Sequence, residues 1–90
     1  MQYKIILNGA ELIRLKMDFM YNDLELTPVM MHIKVVVFKF TKNNYILIDQ
    51  KFILIVNRTE LIFLYDVFRK SLYFDEEEKE KISYYVERLL

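Results

Sequence analysis

Few residues in this chain are of types that do chemistry, and their spacing restricts what they can do. His32 is the only histidine, and there is no cysteine. A catalytic or metal-binding imidazole needs partners, and neither a thiolate nor a second imidazole is available within the chain. His32 is therefore expected as a solvated or edge-strand residue. Ser71 and Ser83 fall on predicted helices, with no histidine or lysine spaced to activate them as nucleophiles. One glycine, Gly9, excludes a glycine-rich phosphate loop. The chain reads as non-enzymatic, with no cofactor and no metal.

Carboxylates are the most concentrated polar groups. Asp75-Glu76-Glu77-Glu78 is followed by Glu80 and Glu87. Negative charge at a helix start is favoured by the backbone dipole, so the run has a purely structural explanation. The competing expectation is a docking surface. In it, Glu76, Glu77, Glu80 and Glu87 would meet lysines and arginines that normally hold phosphate in a nucleic-acid-handling complex. Asp75 and Glu78 would be reserved for capping.

Charge is unevenly distributed although the formal net charge is zero. Up to Arg58 there are eight basic and five acidic residues, and from Thr59 onward five basic and eight acidic. Lys34, Lys39 and Lys42 with Phe38, Phe40 and Tyr45 form a basic aromatic set of the kind that binds single strands. The ordinary alternative is edge-strand lysines that block aggregation.

These residues must be positioned by a small scaffold. Ninety residues make one domain. The hydrophobic fraction of 54% exceeds the usual share for soluble domains. Lys4 to Leu7 before Asn8-Gly9 is too short for the apolar region of a signal peptide. No run approaches the length of a membrane helix, and Asp49-Gln50-Lys51 interrupts the best one. A cytoplasmic location without membrane contact is expected. Abundant Ile, Lys, Phe, Tyr, Asn and Met beside single Gly, Ala and Pro residues indicate an AT-rich genome: a low-GC bacterium, its phages or plasmids, or a large DNA virus.

Gln2 to Leu7 predicts a strand, and Asn8-Gly9 is a hairpin signal. Over Ala10 to Tyr21, Ile13, Leu15, Met17, Phe19 and Tyr21 are apolar, and Arg14, Lys16 and Asp18 between them are charged. Period two favours a second strand over the helix that the composition would also allow. A three-residue loop then pairs Ile5 with Ile13, Tyr3 with Leu15 and Lys4 with Arg14. Asn22-Asp23 and Thr27-Pro28 mark turns, and Leu24 and Leu26 allow a short edge strand between them. Met30 to Thr41 predicts a third strand, rich in Val and Phe. Lys42-Asn43-Asn44 is a turn, and Tyr45–Ile48 with Phe52–Val56 a hairpin. Both faces of these strands are apolar, so a sheet built from them needs a second cover, which implies another protein.

Asn57 and Glu60 have capping-box spacing, as do Asp75 and Glu78. Asn57-Arg58-Thr59 is read as a helix start and not as a glycosylation signal. Leu61, Leu64, Tyr65, Phe68 and Leu72 form the stripe of one helix, widened by Ile62, Phe63 and Val67, which are assigned to a homodimer interface. Ile82, Tyr85, Val86 and Leu89 form the stripe of the next. No linker, repeat or low-complexity segment is recognised apart from Asp75 to Lys81.

The expectation is an α+β domain: an antiparallel β-meander of four to five strands over about 2–56, then two C-terminal α-helices over about 58–73 and 76–89, packed on one face. The function expected is non-enzymatic protein binding, in the style of a phage- or mobile-element-encoded inhibitor of a host complex, of the anti-CRISPR type. A small nucleic-acid-binding protein using the basic sheet half is the alternative.

Overall fold

Asn8, Asn57 and Asp75 each stand three residues before a glutamate, and each opens a helix. In all three the side chain accepts from the glutamate N–H, while the glutamate side chain accepts from the capping N–H. The reciprocal pair satisfies donors that a helix start leaves open. The computed structural model describes residues 1–22, 27–42 and 45–90. In order they form β1 (Tyr3–Asn8), α1 (Gly9–Tyr21), α2 (Pro28–Phe40), β2 (Lys51–Val56), α3 (Arg58–Arg69) and α4 (Glu76–Leu89). The two strands pair antiparallel, from Tyr3 opposite Val56 to Asn8 opposite Lys51.

The chain is α+β, but the expected meander of four to five strands is not there. Among the described residues there are two strands in one sheet and four helices. The segment 10–21 is helical. Its buried positions, Leu12, Leu15, Asp18 and Phe19, follow helical spacing, and the Asn8–Glu11 capping box starts it. Helix propensity and capping outweighed the alternation, much of which came from half-exposed apolar residues such as Ile13 and Tyr21. Asn8-Gly9 is thus a helix start and not a hairpin, and the pairing of Ile5 with Ile13 is replaced by Ile5 with Leu54.

Met30–Phe40, expected within a strand over Met30–Thr41, is helical for a related reason. Pro28 at the first helical position, after Thr27 at the cap, suits a helix start. With Met31 and Val35 exposed and Ile33 and Val37 buried, both sides of α2 are apolar, and no periodicity survives to be read. Tyr45–Leu47 lies outside any element, and a turn follows. The edge strand expected between Asn22 and Pro28, and the turn at Asn43-Asn44, fall on residues 23–26 and 43–44, outside those described. The strand over 52–56 and the two C-terminal helices are present, with α3 ending at Arg69.

The sheet turns Ile5, Leu7, Phe52, Leu54 and Val56 into the core, where they meet Leu12, Leu15 and Phe19 of α1, Ile33 and Val37 of α2, Leu61, Leu64 and Phe68 of α3, and Ile82 and Val86 of α4. The opposite face carries Ile6, Ile53 and Ile55, each about half exposed.

The chain contains a repeat that composition and local patterning conceal. The offset from Asn8 to Asn57 also carries Glu11 to Glu60, Leu12 to Leu61, Ile13 to Ile62, Leu15 to Leu64, Phe19 to Phe68, Ile33 to Ile82 and Val37 to Val86, every pair identical. It superimposes β1-α1-α2 on β2-α3-α4 to within one residue at nearly every boundary. Of these pairs, all but the caps, their glutamates and the Ile13/Ile62 pair are buried in both halves. The equivalent residues Ile5 and Leu54 lie directly opposite each other in the sheet. A local two-fold axis therefore passes between them. Tertiary contacts recur as well: His32 meets Glu60, and their counterparts Lys81 and Glu11 line one cleft. Each half is a βαα unit whose apolar faces are closed by the other half.

Candidate functional site

Helix α4 places Glu77, Glu80, Tyr84 and Glu87 at spacings of three and four, on one face. The end of α3 brings Arg69 beside them. Together with Ser83 they line an open cleft of about 580 Å³. The three glutamates are exposed, and among the described residues none makes an ion pair. Ser83 is 3% exposed, and among the described residues its Oγ has no hydrogen-bond partner.

The other acids of this helix have structural duties. Asp75 and Glu78 form the capping box, and Glu78 also pairs with Arg14 of α1. Glu76, assigned to the same surface from the sequence, instead pairs with Lys79 at 3.4 Å and lies outside the cleft. Glu77, Glu80 and Glu87 of that set line one cleft. Arg69, Ser83 and Tyr84 were missed. Spacing along α4 would have found Tyr84, but Arg69 joins the site only through the packing of α3 on α4.

The repeat supplies an internal control. The first-half counterparts of Glu77, Glu80, Ser83, Tyr84 and Glu87 are Pro28, Met31, Lys34, Val35 and Phe38. The same βαα unit thus folds without an acidic residue at any of these positions. Packing does not require the three cleft carboxylates, whereas it does require the shared leucines and phenylalanines.

The other candidates are placed differently. Lys34 and Lys39 lie on α2 and not on a sheet. Five positions apart on a helix, they face different directions. Lys34 and Lys16 both sit over the Phe38 ring, at 5.6 and 5.5 Å, while Lys39 is exposed. Lys42 follows the helix, and Tyr45 is 93% exposed outside any element. Among the described residues these lysines do not lie on a sheet. Of the residues assigned to a dimer interface, Ile62 is exposed, Phe63 is half-buried against Phe19, and Val67 is fully buried. Val67 belongs to the chain's own core.

Two polar pairs have catalytic composition but structural surroundings. Asp18 and Ser71 are both fully buried. The Ser71 hydroxyl donates to Asp18 and accepts the Tyr73 and Phe74 N–H groups, while Asp18 also accepts from Leu72 N–H at 3.0 Å. This network ends α3 and turns the chain into α4. His32 is on α2, not on an edge strand. Its Nδ1 lies 2.6 Å from Glu60, whose other oxygen caps α3. The pair links α2 to α3.

Among the described residues no group of three or more His, Asp or Glu side chains is arranged to hold a metal ion, and no helix is long and apolar enough to cross a membrane. No protein-family model, curated protein or solved structure matches the chain.

Proposed function

We propose that this chain is a non-enzymatic protein-binding module that docks through the acidic α3–α4 cleft onto a basic surface of its partner. The observation that carries this reading is the contrast between the two halves: one βαα unit has three unpaired carboxylates around a cleft, and its equivalent has none there. A solvated helix face explains acidic residues in general, but it does not explain their restriction to one of two equivalent hairpins beside a buried, unpartnered hydroxyl. Clustered carboxylates resemble the charge pattern of a nucleic-acid backbone. The partner proposed is therefore a nucleic-acid-handling complex, and the role an inhibitor of the anti-CRISPR type. An AT-rich coding signature fits a phage or mobile element acting in the host cytoplasm.

Self-association through Ile62, Phe63 and Val67 is not part of the proposal, because Val67 is closed inside the core. Nucleic-acid binding is not retained either, since its lysines are dispersed over α2 and the segment after it.

The test is affinity purification from the native host with mass spectrometry, comparing the natural chain with one carrying Glu77→Lys, Glu80→Lys and Glu87→Lys. Asp75 and Glu78 are left intact so that α4 stays capped. A nucleic-acid-binding partner is expected with the natural chain, and its association at low salt is expected to slow at least about tenfold with the reversed one. Unchanged association kinetics would remove the cleft from the interface. A direct, salt-sensitive shift of nucleic acid by the chain alone would replace the reading with the opposite one.

A further inference from the structure

We infer that the outer face of the β1–β2 sheet is a second docking surface, which receives a single amphipathic helix of a protein partner. The apolar stripe of that helix lies on Ile6, Ile53 and Ile55, and two of its carboxylates meet Lys4 and Lys51. This surface is separate from the acidic cleft and does not depend on it. The inner face of the sheet is closed by the chain's own helices. The outer face is not. Its side chains alternate with the buried ones, and all are exposed: Lys4, Ile6 and Asn8 on β1, Lys51, Ile53 and Ile55 on β2. The pairing sets Lys4 beside Ile55, Ile6 beside Ile53 and Asn8 beside Lys51. The three isoleucines are therefore neighbours, and each is about half exposed. Threonine would suit a solvated strand position as well, so strand formation does not require this patch. Ile6 and Ile55 also occupy equivalent positions of the repeat, an identity that core packing does not demand.

Size and charge select the occupant. A six-residue strand spans about 20 Å, and two paired strands present a width of about 10 Å. A stable dimer commonly covers about 800 Å² on each partner, with about 20–30 residues a side. Two short strands fall well below that, so a second copy stacked on this face would gain too little contact. One α-helix, about 10 Å across, covers the same strip with about three to four turns. Lys4 and Lys51 stand at opposite corners, on different strands and four residues apart along the ladder. That separation is about 14 Å. No acidic residue shares the outward positions, and among the described residues neither lysine is in an ion pair. A second copy would bring two more cations to the face and no anion. A helix with carboxylates about two to three turns apart, flanking aliphatic residues at helical spacing, matches both corners and the isoleucines between them.

The experiment titrates two synthetic helical peptides of about 15 residues into the full chain, with backbone amide shifts followed by NMR. Both carry the same leucine stripe. One has glutamates at the flanking positions, and the other has lysines. Affinities are read from the sheet amides, so that binding of the lysine peptide at the acidic cleft is not counted. The glutamate peptide is expected to move the amides of Lys4 to Asn8 and of Lys51 to Ile55, and to bind at least about fivefold more tightly than the lysine peptide. Ile53→Thr with Ile55→Thr keeps β-branched residues on the strand and should weaken binding at least about tenfold. Lys4→Glu with Lys51→Glu should reverse the preference between the peptides. All four positions are exposed, so the fold is expected to survive, and amides away from the sheet check it. Absence of shifts at about 1 mM glutamate peptide would overturn the inference. Equal affinity for both peptides, or a preference that survives the lysine reversal, would do the same. Light scattering that shows a dimer, converted to monomer by the isoleucine substitutions, would assign the face to a second copy and overturn it. Binding to phosphatidylglycerol vesicles that the same substitutions abolish would assign it to a membrane, with the same consequence.

Discussion

Replacing Asp18 by alanine should destabilise the chain severely, although nothing in its position along the sequence marks it. The carboxylate is fully buried near the end of α1 and holds the turn after α3, more than fifty residues away. It accepts the Ser71 hydroxyl, the Leu72 N–H at 3.0 Å, and a longer contact from Asn22 at 3.4 Å. Bonds to a charged acceptor are worth about 1.5–3 kcal/mol each, and a donor stranded in the interior costs about 1–3 kcal/mol. Ser71 is fully buried and loses its acceptor outright. Leu72 is 69% exposed, so its N–H can recover water. Asn22 keeps its bond to the Lys70 carbonyl. The total expected for Asp18→Ala is about 3 kcal/mol, a large part of the stability of a domain this size. With a urea m-value of about 1 kcal/mol/M, the unfolding midpoint should fall by about 3 M. Asp18→Asn, which keeps one acceptor oxygen, should lose about half as much. Asp66→Ala is the control. Asp66 is exposed and pairs with Lys70 in solvent, so its loss should shift stability by about 0.5 kcal/mol or less after screening. A double-mutant cycle of Asp18→Ala with Ser71→Ala should give a coupling of about 1–3 kcal/mol. An Asp18→Ala chain as stable as the Asp66→Ala control would refute this account of the α3–α4 turn.

Two further outcomes follow from close approaches to β1 and the residue after it. A Cβ on Gly9 would clash with the Leu47 carbonyl oxygen and stand 2.7 Å from Ile46 Cγ2, so Gly9→Ala must displace the 46–48 backbone. Glycine-to-alanine ordinarily stabilises a helix, whereas this overpacking should cost about 1–3 kcal/mol. A melting temperature lower by about 4 °C or more is expected, and a rise would contradict the reasoning. Tyr85→Phe removes the hydroxyl that accepts Ile6 N–H at 3.1 Å and joins α4 to the edge of β1. The loss should be about 0.5–1.5 kcal/mol, accompanied by faster hydrogen exchange at the Ile6 amide; unchanged protection would show that the contact does not hold that edge.

The sequence alone determined what is local. The Asn57–Glu60 and Asp75–Glu78 spacings located α3 and α4, because capping is decided within four residues. The alternation of Phe52, Leu54 and Val56 with Ile53 and Ile55 marked a strand apolar on both sides, and Glu77, Glu80 and Glu87 were legible as one face of a helix. The third capping box, Asn8–Glu11, was equally local, and was passed over because Asn-Gly also begins hairpins. Tertiary structure decided everything that depended on partners distant in the chain. Ala10–Tyr21 satisfies both periods in isolation, and burial of Leu12, Leu15 and Phe19 against the sheet selects the helix. β1 pairs with β2 across the whole first half, a choice that no turn residue encodes. The repeat was present in the letters, but only packing shows why its leucines and phenylalanines match while its surfaces differ: the core positions face the same two-stranded sheet in both halves, and the outer positions face solvent. The candidate site follows the same division. Its carboxylates are set by helical spacing, whereas Arg69 joins them, and Ser83 is buried beside them, only because α3 packs against α4.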